Sequence, residues 1–176
     1  MKRCLIFAVV LCVLVGCTPS HSPIKPKSEW DSVFVQGDFR FYGAYYPTVS
    51  QNIFSIDLLS RGLEFDSSYK MVGNGTNLYL SDVFLPLTDS ALQSGIYDID
   101  TTASAYTFLG GKRFGESVTG TYLVRVSESA VQDVVLLTRG QMTVTTYGDS
   151  IALDFQLYTE DSTLYSGTYS GPVSYR

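Results

Sequence analysis

Histidine, cysteine and paired carboxylates are the residues with which a small chain would do chemistry, and here they are unevenly placed. The single histidine, His21, lies in a Pro/Ser-rich stretch ahead of any strand-like pattern. A Ser-His-Asp or Cys-His relay therefore has no histidine in the downstream domain, and neither does a zinc site built on histidines. No glycine-rich phosphate loop or dinucleotide fingerprint occurs. Carboxylates are better placed. Asp98 and Asp100 are two apart, so a strand points both to one face; Glu64 and Asp66 flank Phe65; Glu160 and Asp161 share a turn-like stretch. Such a pair suits the acid and nucleophile of glycoside hydrolysis, or oxygen ligation of calcium. Calcium loops, however, gather more carboxylates and amides within about a dozen residues than any window here supplies. The plainer reading is a solvated strand edge or turn, where most charged side chains lie. Neither a metal nor another cofactor is expected.

Aromatic residues are the richer signal, with 13 tyrosines, 10 phenylalanines and one tryptophan. Tyr42, Tyr45 and Tyr46 cluster in Phe41-Tyr-Gly-Ala-Tyr-Tyr-Pro47, whose glycine and proline mark a loop or strand end. Exposed tyrosines offer rigid contact area with a polar tip, which suits a glycan or a protein partner. The competing reading is that they pack a sheet face. A small-Gly-x-Tyr pattern also recurs, at Ser94–Tyr97, Thr119–Tyr122 and Ser166–Tyr169. It reads either as three aromatic platforms or, more simply, as repeated strand-entry geometry in which glycine permits close backbone approach.

The cysteines belong to the other end of the chain. Met1-Lys2-Arg3 is followed by about a dozen apolar residues from Cys4 to Val15, then Gly16-Cys17. A charged start, a short apolar run and a small residue before a cut site describe a secretory signal peptide, and the run is shorter than the roughly 20 residues of a spanning helix. Leu14-Val15-Gly16-Cys17 resembles the bacterial lipobox. That resemblance implies cleavage before Cys17, diacylglycerol on its thiol and an acylated amino terminus, which together hold a protein firmly to a membrane. With Cys4 and Cys12 removed in the signal and Cys17 acylated, no disulfide or cysteine metal site is available to the domain. The division expected is a signal over residues 1–16, a lipidated Cys17 with a Pro/Ser-rich tether over 17–28, and one domain over 29–176. The tether reaches roughly 30–35 Å if extended. Thr18 is not the aspartate that favours inner-membrane retention in enterobacterial lipoproteins, so the outer membrane is the expected address, on either of its faces.

Charge narrows the partners. The chain carries −5 overall, and loss of Lys2 and Arg3 with the signal takes this to −7. An acidic surface disfavours nucleic acid and anionic headgroups, and no basic cluster exceeds Lys112-Arg113.

The elements that must carry these residues read as strands. From Trp30 onward Tyr, Phe, Val, Ile and Thr alternate with polar residues between glycine-marked turns. Ile151, Leu153, Phe155 and Leu157 share one face; Tyr122, Val124 and Val126 share another; so do Phe54, Ile56 and Leu58. Over Thr76–Phe84, strict alternation puts Leu78 and Leu80 on one side and Tyr79 and Val83 on the other. Gly148-Asp149, Glu160-Asp161-Ser162 and Gly73-Asn74-Gly75 are placed as turns. Residues 127–137 are ambiguous and read as a loop or short helical turn followed by a strand. The expectation is an all-β domain of about nine or ten strands, mostly hairpin-connected and antiparallel; large inward side chains favour a β-sandwich or a flattened barrel over a wide ligand-holding barrel, with the sandwich preferred.

The closing run, Gly140-Gln-Met-Thr-Val-Thr through Tyr165-Ser-Gly-Thr-Tyr-Ser-Gly-Pro172, resembles the last strands of a widespread, largely uncharacterised set of all-β lipoproteins from Gram-negative gut anaerobes, which tend to finish in Gly-x-Tyr-x-Gly-Pro. The resemblance covers about a quarter of the chain. It implies fold and anchoring and brings no catalytic residues. The functional expectation is a membrane-anchored, non-enzymatic domain that binds an envelope protein or a glycan through Tyr42, Tyr45 and Tyr46. The rivals are a hydrolase using Asp98, Asp100, Glu64 or Asp66, and a barrel that carries a small molecule.

Overall fold

From Trp30 onward, β-branched and aromatic runs broken by tight turns fold entirely into strands. The structure, a computed structural model, describes residues 30–176; the expected signal segment and tether, with Cys17 and His21, lie outside the described residues. The strands in order are β1 Val33–Gly43, β2 Gln51–Ser60, β3 Leu63–Phe65, β4 Met71–Gly73, β5 Gly75–Pro86, β6 Gly95–Ile99 and β7 Thr107–Phe108. They continue as β8 Lys112–Phe114, β9 Ser117–Thr119, β10 Tyr122–Ser127, β11 Ala130–Leu136, β12 Arg139–Tyr147, β13 Ser150–Tyr158 and β14 Leu164–Pro172.

Eight of them close a ring, β5-β2-β1-β14-β13-β12-β6-β7, which β7 completes by pairing back onto β5 at Val83 and Phe84. The domain is therefore all-β as expected, and a closed barrel, roughly consistent with the flattened-barrel alternative, in place of the favoured sandwich. Closure removes the edges that two stacked sheets would leave. The cause is local. β5 forks: its first half, Gly75–Tyr79, pairs with β10, and its second half pairs with β7. β10 and β11 thus form a flap beside the barrel, and β3-β4 and β8-β9 are small separate ribbons. Most pairs are antiparallel, but β1 runs parallel to β14 and β6 parallel to β7.

Large side chains fill the lumen. Phe39, Phe54, Leu58, Leu80, Tyr97 and Phe108 come from five strands and are fully buried, and Ile151, Leu153, Phe155 and Leu157 share the inward face assigned to them. Burying a side chain of this size stabilises by about 1.5–3 kcal/mol. Trp30 seals the end where the chain enters, edge-on to Tyr165 with ring centres 6.0 Å apart and under the Arg125 guanidinium at 5.5 Å.

A second, smaller core lies outside the barrel. Leu59 on β2 packs with Leu63, Val124 and Val126 beneath the β3-β4 ribbon. The Tyr122-Val124-Val126 face thus exists as expected but looks away from the lumen, which Leu123 enters instead.

One local expectation fails and one open reading is resolved as a short turn followed by a strand. Val83 joins Leu78 and Leu80 in the lumen, because β5 carries a bulge: Phe54 pairs with Val83 and Ile56 with Leu80, so Ser81 and Asp82 together oppose Ser55 alone. One extra residue reverses every later side chain. Residues 127–137 contain no helical turn. Glu128 and Ser129, at φ 51° and 61°, form a two-residue turn with left-handed backbone that returns the chain directly into β11.

Candidate functional site

The three tyrosines singled out in the sequence stand together. β1 ends at Gly43, whose φ of 62° turns the chain outward; Tyr42 just before it and Tyr45 and Tyr46 after it are 46%, 65% and 37% exposed. Tyr45 bridges its neighbours, with ring centres 6.0 Å from Tyr42 and 5.1 Å from Tyr46. Their hydroxyls are tied on opposite sides. The Tyr42 hydroxyl meets Ser55 Oγ at 3.2 Å, and the Tyr46 hydroxyl donates to Asp82 in long contacts of 3.4 Å. The result is a short aromatic ledge, fixed at both ends and open in the middle.

Beside Tyr46 lies a recess of about 760 Å³. It exists because β5 forks. Where β10 leaves β5 and β7 has yet to join, the wall of the barrel opens, and the bulge residues Ser81 and Asp82 sit at the opening. Asp82 holds a φ of 49°, a left-handed conformation that aspartate tolerates better than most residues. Opposite, the stretches around Gly110-Gly111 and Gly120-Thr121 cross in contact. A Cβ on Gly120, itself at φ 76°, would lie 2.1 Å from the Gly110 carbonyl oxygen, and one on Gly111 would lie 2.3 Å from that of Thr121. Only bare backbone fits, so this wall is main chain. Asp100, Lys112 and Glu160 complete the rim, while Ile99 and Leu109 supply apolar wall.

The carboxylates of this cleft differ. Burial pushes the Asp82 carboxyl above its ordinary value, outweighing hydrogen bonds from Ser81 and Tyr46. Burial, then the adjacent Asp82 charge, raises the Tyr46 phenol. Asp100 shifts the other way, held down chiefly by the Thr101 amide with help from Thr102.

Of the four carboxylates that made up the hydrolase alternative, only Asp100 lines this cleft. Asp66 caps its own turn, accepting from the amides of Ser68 at 2.8 Å and Lys70 at 2.9 Å. Glu64 is exposed on the β3-β4 ribbon, beside a separate shallow recess, and Asp98 is exposed on β6 opposite Gln141. Asp161 closes the turn after β13, accepting from the Thr163 amide at 3.2 Å and from the Thr159 hydroxyl. No three His, Cys, Asp or Glu side chains among the described residues converge as a metal site would need. The repeated Gly-x-Tyr units are mainly structural: Tyr97 and Tyr169 are buried in the lumen, and Tyr122 lies half-buried on the outer face.

A polar network that sequence reasoning missed occupies that outer face. Asp38, Asp57, Tyr79 and Tyr122 are cross-strand neighbours on β1, β2, β5 and β10. Arg40 reaches Asp38 through Nε at 2.9 Å and Asp57 through Nη2 at 2.5 Å, and the Asn77 amide donates to Asp57 at 2.8 Å. Arg176 donates from Nε to the second oxygen of Asp38 at 2.6 Å and lies 4.5 Å from the ring centre of Tyr69. Burial keeps the Asp57 carboxyl above its ordinary value despite Asn77 and Arg40. Burial alone would lower the Arg40 pKa, but Asp38 and Asp57 outweigh it and raise it. Tyr122 is pushed up to about 12 by burial and then by Tyr79. The network fastens the C-terminus and the β3-β4 ribbon to the barrel.

Comparison with protein-family models, with curated proteins and with solved structures returns no match.

Proposed function

We propose that this chain is a lipid-anchored bacterial envelope protein whose barrel binds a glycan through the ledge of Tyr42, Tyr45 and Tyr46, without catalysing a reaction. One observation carries the reading: the ledge is exposed and held at the end of the barrel opposite the entry of the chain. Trp30 seals one end, and β1 runs 11 residues from Val33 to Gly43 before the ledge begins, which is about 35 Å of extended strand. A lipid on Cys17, with the tether of residues 17–28, would leave the ledge facing away from the bilayer. The lipobox-like Leu14–Cys17 and the C-terminal resemblance support anchoring at an outer membrane.

A glycan is favoured over a protein partner by the chemistry around the rings. Sugar rings place C–H groups on aromatic faces and hydroxyls on polar edges, and here the rings are flanked by Ser55, Ser81 and Asp82. The test is a glycan array probed with the protein, run beside a pull-down from envelope extract. Glycan binding that disappears in Tyr45→Ala supports the reading. A protein partner captured in place of any glycan replaces the ligand class, and silence in both contradicts the reading.

A further inference from the structure

The cleft at the fork of β5 carries chemistry that the ledge does not use. From it we infer that the fork is a monosaccharide-sized subsite, in which Asp82 accepts two hydroxyls of a neutral vicinal diol from the end of the glycan. This rests on the glycan reading of the ledge and names what the adjoining space would take.

Size comes first. About 760 Å³ lies within the roughly 300–1,000 Å³ of small-ligand sites, ample for one sugar ring with its waters. The walls are of two kinds. Ile99, Leu109 and the Tyr46 ring supply apolar surface, while Ser81, Thr101 and Thr119 supply hydroxyls. A flat ring with an apolar face and a polar rim matches that division. Behind them, Gly110, Gly111 and Gly120 let two backbone segments cross in contact, so the back wall of the cleft is set by main-chain packing.

Asp82 is the specific element. An ionised carboxylate has about four lone-pair sites. Its protein partners are the Ser81 and Tyr46 side chains, and the Tyr46 contacts are long, at 3.4 Å. Acceptor capacity therefore remains, and two adjacent hydroxyls are the donor pair that fits a carboxylate two-pronged. The bulge fixes the aim. Because Ser81 and Asp82 together oppose Ser55, Asp82 is turned out of the alternation of β5 into the opening. Burial disfavours its bare charge, so donated hydrogen bonds from a ligand would be worth more here than at an exposed site. Charge decides against anions: Asp82, Asp100 and Glu160 face the cleft against Lys112. Phosphorylated or carboxylated sugars would meet net negative potential.

The test is saturation-transfer difference NMR on the full chain with the methyl glycosides of glucose, galactose and mannose, plus glucosamine as a cationic probe. At least one neutral glycoside is expected to receive transfer on its ring protons. In Asp82→Asn the affinity behind that signal should fall about tenfold, the scale of losing charge-assisted hydrogen bonds. In Tyr45→Ala it should persist, since Tyr45 does not line the cleft. Asparagine also tolerates the left-handed backbone, and a thermal melt of Asp82→Asn distinguishes lost recognition from lost fold. No transfer to any neutral glycoside, transfer unchanged in Asp82→Asn, or transfer to glucosamine alone each overturns the inference. The two readings fail separately. Oligosaccharide binding that needs Tyr45 but not Asp82 leaves the ledge without this subsite; the reverse pattern leaves the subsite and removes the ledge.

Discussion

Arg40 sits between two aspartates that the strand register places directly opposite each other, 2.9 Å from Asp38 and 2.5 Å from Asp57. Like charges facing across a strand pair repel, so the register of β1 on β2 depends on the guanidinium between them. Both carboxylates are almost wholly buried, at 8% and 6% side-chain exposure. Replacing Arg40 with methionine keeps the bulk, leaves Asp57 with the Asn77 amide and no adjoining cation, and leaves Asp38 with Arg176 alone. The expected loss is about 3–5 kcal/mol of unfolding free energy, the scale of breaking a buried pair from one side. Arg176→Ala should cost at most about 1 kcal/mol, since the Arg176 side chain is 47% exposed and water screens its pair. Urea unfolding of the two variants checks the order. Equal losses would mean that Arg40 is not what holds the two aspartates in register.

Asp82 gives a pH-dependent prediction. Its pKa in the folded protein lies above the ordinary 3.8, so between the two values the folded state binds more protons than the unfolded state. Stability from this group therefore falls as pH rises through that window and stays lower above it. Asp82→Asn removes the ionisation while keeping a residue suited to φ 49°. The variant should match the parent at the acid end and become relatively more stable as pH rises to neutrality. Thermal melts over that range read the effect directly, and a variant less stable than the parent at neutral pH would contradict it.

Gly120→Ala tests the crossing that forms the back of the cleft. A methyl group there meets the Gly110 carbonyl oxygen at 2.1 Å on a backbone with φ 76°. Both the contact and the dihedral are unfavourable, and about 2–4 kcal/mol of destabilisation is expected. Gly115→Ala shares a positive φ of 61° but has open space around its Cβ; it should cost about 1 kcal/mol. Chemical denaturation of the pair separates close packing from backbone strain.

The anchor is tested apart from the barrel. In a bacterial host fed labelled palmitate, the parent chain should take up label and partition with membranes. Cys17→Ser should take up none. Labelling of the variant at parental level would remove Cys17 as the attachment site.

Much of the barrel was legible because its inward faces are large and strictly alternating: Ile151 to Leu157 on β13 and Phe54 to Leu58 on β2 need no tertiary information. Closure was not legible. It depends on the fork of β5, whose trace in the sequence is a slip in phase. Apolar residues fall at Leu78 and Leu80 and then at Val83 and Leu85, and a bulge between them is the physical reason. That slip would also have pointed to Asp82, the residue that the bulge turns into the cleft. The Tyr42-Tyr45-Tyr46 cluster was legible because a glycine and a proline punctuate it. The Asp38-Arg40-Asp57 network was not. Its members look like ordinary solvent-side residues of alternating strands until the β3-β4 ribbon covers that face.

The measurement closest to the central proposal is calorimetric titration of the best array glycan into the parent chain and into Tyr45→Ala. Tyr45 is 65% exposed, so its removal should leave the melting temperature almost unchanged while weakening binding by about tenfold or more, the scale of losing one stacked ring. Parental affinity in Tyr45→Ala would contradict the account, because the ledge would then be a surface that the ligand does not touch.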